Sequence, residues 1–223
     1  MKHTANTASL PTHGINPAFL CYLPHHIGEL NLFQKAIATL AVGRAIVLAA
    51  TGMRGISITM PTLHDNPRCI VTLPRGGYFC GGLSVMDIDQ HPEKFLEYIC
   101  YQIGGAVALF ALDKDDYYGE IGLNDIEGTF ADLATFEAAH KVNEGNVLAG
   151  CTVVTERILG RNSEVAEEMI DHLLERGRLC CEDMHAFLSR VHREEIGGQV
   201  LATFEEPWIG DEADRVRRMF IGC

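Results

Sequence analysis

Two stretches of this chain are apolar on nearly every side of a helix, and they constrain everything around them. Between residues 29 and 50, Leu32, Phe33, Ala36, Ile37, Leu40, Gly43 and Val47 recur at three- and four-residue steps, with Gly52 as a stop. Between 92 and 112, Pro92 suits a first helical turn, and Phe95, Leu96, Ile99, Ile103, Val107 and Phe110 continue the same period. A helix with no polar face has to be covered by other elements, so both belong in the interior of a fold. The strongly apolar runs, 36–50 and 99–112, carry Arg44 and Gln102 and stop short of the roughly 20 residues a membrane helix needs. No membrane span is predicted.

The remaining chain supplies the cover. Residues 56–60 alternate at period two, 69–73 follow across a loop, and 78–86 offer a third extended run, so a small antiparallel sheet is expected. Residues 113–128, rich in aspartate and glycine, read as a long surface loop, and long loops in compact domains are often functional. Further helices are predicted over 129–142, 147–159, 163–176 and 182–191, with Ser163 and Gly177 marking the ends of the third of these. A strand is expected at 199–204 within a mixed tail. The fold class is α+β, mainly α-helical. Its organisation is an N-terminal arm over 1–28 with three prolines and four histidines, one domain over 29–193, and a tail over 194–223 packed on that domain.

Composition narrows the function classes. With 223 residues, 47% apolar and 22% charged, the chain can bury a full core and is not disordered. The formal net charge of −12 repels a phosphate backbone, and basic clusters such as 215–218 are short and interleaved with acids, so no nucleic-acid partner is expected. The N-terminus lacks the pattern of a signal peptide, which places the protein in the cytoplasm. The eight cysteines are expected as free thiols there.

Familiar catalytic signatures are missing. There is no phosphate-binding Gly-x-x-x-x-Gly-Lys-Ser/Thr loop, no Gly-x-Gly-x-x-Gly after a strand, no Gly-x-Ser-x-Gly elbow and no His-Glu-x-x-His. The element order nevertheless carries a likeness. An apolar helix is followed by a sheet containing Thr72-Leu73-Pro74-Arg75-Gly76-Gly77-Tyr78, then by a helix with Tyr101-Gln102-Ile103-Gly104-Gly105-Ala106, an acidic loop and a helical tail. Over roughly residues 30–192 this resembles the peptidase domain of FtsH-type zinc metallopeptidases. In that family the first helix bears His-Glu-Ala-Gly-His-Ala. Here it reads Leu40-Ala41-Val42-Gly43-Arg44-Ala45, so the resemblance implies that Leu40, Ala41 and Arg44 stand where two histidines and the glutamate would be. The family's third zinc ligand, an aspartate, corresponds to Asp132 in Gly128-Thr129-Phe130-Ala131-Asp132-Leu133, with Asp125 as the competing match. The family's ATPase module has no counterpart. The resemblance therefore implies a degenerate peptidase-like scaffold with its zinc ligands lost and no cofactor, and an ion pair of Arg44 with Asp132, or otherwise with Asp125, in place of the metal.

Other sites have blander explanations. Cys180, Cys181, His185 and His192 form the strongest alternative zinc cluster, because Cys181 and His185 share a helical face, but a core cysteine pair beside surface histidines explains them as well. His25, His26 and Glu29 sit at a helix start. Cys80 lies between Phe79 and two glycines, where a packing role is the simpler account. Gly104 and Gly105 are expected to serve close helix packing. The expected function is a non-catalytic binding or regulatory protein with a protein partner or a second copy of itself, a homo-oligomer with a dimer favoured. The alternative is a metal- or thiol-dependent hydrolase with a relocated site, and a third reading, an acidic decoy, rests on charge alone.

Overall fold

The structure is a computed structural model, and it describes residues 27–53, 56–60, 71–72, 91–112 and 128–221. The predicted third extended run at 78–86, nearly all of the acidic loop, Asp125, Cys80, His25 and His26 lie outside the described residues.

Helices α1 (Ile27–Ala50) and α2 (Pro92–Leu112) pack along each other and form the centre of the molecule. Both owe their position to their composition. From Ala36 to Ala50 only Thr39, Gly43 and Arg44 interrupt a run of alanine and aliphatic residues, and Leu96, Ile99, Ile103 and Ala106 of α2 have no exposed surface. The two backbones approach closely because both helices carry glycine at the crossing. A Cβ on Gly43 would collide with Ala108 and with the carbonyl oxygen of Gly104, and one on Gly104 would lie 3.0 Å from Val47 Cγ2. Close packing is thus the role of Gly104. Among the described residues α2 alone is long and apolar enough to cross a membrane, and 67% of its apolar window is buried inside the fold.

Helix α3 (Thr129–His140) lies against α2 and against α4 (Glu144–Arg161). It ends at Lys141, in the left-handed region at φ 60°, and Asn143 then caps α4 by accepting from the Gly145 N–H. Helix α4 in turn packs on α1 and α2. The strongly amphipathic α5 (Ser163–Arg176) presents Val165, Ala166, Met169, Ile170 and Leu173 inward, packs on α1, and stops at Gly177 with φ 73°. Asn162, not Ser163, occupies the N-cap position of α5.

The sheet is mainly non-local. Strand β1 (Ser57–Thr59) is central, with β2 (Val71–Thr72) on one side and β3 (Arg178–Leu179) on the other, both antiparallel. Ile58 pairs with Val71 and with Leu179, and Met60 N–H extends the β3 edge by donating to the Gly177 carbonyl at 2.8 Å. The chain is therefore mainly α-helical with a small antiparallel sheet, as its sequence implies.

Helix α6 (Cys181–Leu188) follows β3. The tail differs from expectation: residues 199–204 are not a strand but fall mostly within helix α7 (Ile196–Thr203), and α8 (Ile209–Ile221) closes the chain. Glu195 accepts from the Gly198 N–H to start α7, and Gly197 lies so close to the Glu93 backbone of α2 that no side chain fits. Such an approach suits a helix laid flat on another helix. Helix α8 packs on α4.

Candidate functional site

The positions that the sequence singles out on α1 divide between core and cluster. Leu40 is 5% exposed and Ala41 1% exposed, both within the apolar core. Arg44, one turn beyond Leu40, is half-buried and reaches α2, where its guanidinium carbon lies 5.8 Å from the centre of the Tyr101 ring. That distance is within the range of a cation–π contact.

A polar seam continues from there across α2 to α3. Gln102 Nε2 donates to Asp132 Oδ2 at 2.7 Å, and Thr129 Oγ1 donates to Gln102 Oε1 at 2.6 Å. Tyr98, one turn before Gln102, lies near the same amide. Its phenol is raised above the ordinary value, chiefly by burial and then by the Asp132 carboxylate, while Gln102 and the Arg44 cation oppose the rise. Arg44 and Asp132 thus both act on Tyr98. Their direct ion pair, expected from the sequence, is not how the carboxylate is held: Asp132 takes its hydrogen bond from a neutral amide. Gln102 faces α3 from the neighbouring helix, whereas the Arg44 guanidinium lies over the Tyr101 ring; the alternative partner, Asp125, lies outside the described residues.

This seam was only partly legible. Gln102 is a visible polar interruption of an apolar run, whereas nothing in the composition alone marks Tyr98, Tyr101 and Thr129 as its companions. Their spacing held the signal, since Tyr98, Tyr101 and Gln102 sit at three- and four-residue steps on α2, and Thr129 and Asp132 are three apart on α3.

Chemically, the seam offers few metal donors. Leu40 and Ala41 have no lone pair to give, and Arg44 is a cation with five N–H donors and no acceptor. A zinc ion at these positions does not fit the residues present. The alternative cluster is only partly within the described residues. Cys180, at the start of α6, is an exposed free thiol, His185 and His192 are exposed, and nothing is described of the Cys181 side chain. Among the described residues no three His, Cys, Asp or Glu side chains are grouped so as to hold a metal ion. The other thiols that the structure places, Cys100 and Cys151, meet across the α2–α4 contact. Cys100 Sγ lies 3.7 Å from the Cys151 carbonyl oxygen, and burial, reinforced by Cys100, pushes the Cys151 thiol well above its ordinary value. A thiol held in its neutral form is a poor nucleophile.

Comparison with protein-family models, with curated proteins and with solved structures returns no match.

Proposed function

We propose that this chain is a non-catalytic binding or regulatory protein built on an FtsH-peptidase-like scaffold whose zinc-holding positions have been given over to packing. The observation that carries the reading is the fate of positions 40 and 41, which are occupied by a leucine and an alanine sunk in the core. Next to them the polar groups of Arg44, Tyr98, Gln102, Thr129 and Asp132 engage one another across three helices. Such a network stabilises an interior but aims no lone pair at a common point. In this reading the protein is cytoplasmic and works through its surface on a protein partner or on a second copy of itself, with a homodimer as the assembly.

Two measurements on untagged full-length protein test this. Elemental analysis is expected to find no stoichiometric zinc; one equivalent of zinc, lost on Asp132→Asn, would overturn the degenerate scaffold and favour a hydrolase with a relocated centre. Light scattering is expected to give twice the 24.5 kDa chain mass, and a monomer at high concentration would overturn the assembly.

A further inference from the structure

The α4–α5 junction carries an open surface cavity of about 370 Å³, lined by Arg161, His192, Arg193 and Glu194. That size falls in the range of small-molecule sites. Its walls are fixed from behind. Asn162, 2% exposed, donates from Nδ2 to the Ile158 carbonyl and accepts the His192 N–H at 3.1 Å, and Glu194 N–H donates to the Ala50 carbonyl at 3.0 Å. The loop between α6 and α7 is thereby tied to the ends of α4 and α1.

The charge of the cavity runs against that of the chain. The Glu194 carboxylate is 5% exposed and holds Arg161 Nη1 at 2.8 Å and Arg157 Nε at 3.8 Å, while Arg157 also donates to Gln199. Arg193 lines the same cavity and makes no ion pair with the other described residues. The two guanidinium groups that line the cavity, Arg161 and Arg193, against the one carboxylate of Glu194 leave an excess of one positive charge, on a protein whose formal net charge is −12. The next acid in sequence, Glu195, is turned to the start of α7, where it caps Gly198. The C-terminal end of α4 and the N-terminal end of α5 adjoin here, so their helix dipoles offset and the side chains set the sign.

We propose that this cavity binds a phosphate group, free or carried as a monoester on a small molecule. The excess positive charge favours an anion, planar guanidinium forks suit phosphate oxygens, and the buried Glu194 carboxylate holds Arg161 in place before the ligand arrives. The site is separate from the α1–α2–α3 seam and does not depend on how that seam is read.

Calorimetric titration of the full chain with inorganic phosphate and with glycerol phosphate, at constant ionic strength set by chloride, tests the proposal. Saturable one-to-one binding is expected for at least one probe, and the tighter of the two identifies the source. Arg161→Gln and Arg193→Gln should each weaken it about tenfold or more, as the loss of a charge-assisted hydrogen bond implies, whereas Arg218→Gln on α8 should leave it unchanged. Thermal unfolding of each variant at the wild-type midpoint excludes loss of fold as the cause. Absence of saturable binding with both probes, equal affinity in the wild type and in the double variant Arg161→Gln/Arg193→Gln, or preferential binding of a glutamate-rich peptide would overturn it.

Discussion

Single side chains decide how the polar seam is held, and Gln102 is the one on which most of it depends. Its amide serves Asp132 with one end and Thr129 with the other, and Thr129 is 1% exposed. Gln102→Leu keeps the bulk but leaves a buried hydroxyl without its acceptor and a half-buried carboxylate without its donor. A loss of about 1 to 3 kcal/mol is expected in urea unfolding, at the cost typical of orphaned polar groups; an unchanged midpoint would mean that water replaces the amide. Tyr98 reports the field of the same seam. Asp132→Asn should lower its pKa and Arg44→Gln should raise it, read as a difference between variant and parent in absorbance titration of the phenolate. The sign for stability follows. Because the folded pKa is raised, Tyr98 contributes stability that is fully present below its unfolded value of about 10 and is lost as pH rises through the folded value. Asp132→Asn should narrow that alkaline window and Arg44→Gln should widen it. The mismatch between the Arg44–Asp132 pair expected from charge and the Gln102–Asp132 bond in the fold has a simple origin. Complementary charge can be read from sequence, but the face each helix turns to its neighbour cannot be read from one helix alone.

At the scale of elements, local period was a sufficient guide wherever the element makes its own case. α1, α2 and α5 are apolar or amphipathic over three turns or more, and their limits follow from Pro92, Gly52 and Gly177. Pieces that exist only through a distant partner were not legible. β3 is two residues long and is a strand because β1 lies beside it, and α7 looked like a strand because residues 199–204 mix apolar and polar residues over too short a run. In α8, Ile209, Ala213, Val216 and Phe220 recur at steps of four, three and four, but polar residues outnumber them and mask the period. The α1–α2 crossing offers the sharpest test at this scale. Gly43→Ala forces a methyl group into Ala108 and the Gly104 carbonyl, so the helices must separate, and a loss of about 1 to 3 kcal/mol or more is expected from overpacking. Gly160→Ala, in the last turn of α4 with nothing within 4 Å of its new Cβ, should instead gain up to about 1 kcal/mol from helix propensity. Equal effects of the two changes in parallel urea curves would show that the close approach of the helices is not what Gly43 provides.

For the molecule as a whole, the question is whether the C-terminal segment unfolds with the core or ahead of it. α8 buries Ile209, Val216 and Phe220, and Phe220 meets Phe110 of α2 edge to face at 5.8 Å. Arg215 Nη2 also pairs with Glu156 Oε2 of α4 at 2.9 Å, although that pair is partly exposed and adds little. Each large apolar side chain contributes about 1.5 to 3 kcal/mol when fully buried, so detaching α8 alone costs roughly 5 to 9 kcal/mol before the chain entropy it regains. It would also uncover the face of α4 that α8 protects. Because that burial is comparable to the whole stability of an ordinary domain, about 5 to 15 kcal/mol, early release of the segment is not an inexpensive step. The chain has one tryptophan, Trp208, and it stands immediately before α8, 38% exposed. Its fluorescence therefore reports the segment, while far-UV circular dichroism reports all the helices. The two urea transitions are expected to coincide, as a cooperative unit requires. A fluorescence midpoint at clearly lower urea would instead make residues 194–223 an appendage that leaves before the α1–α2 core is disturbed.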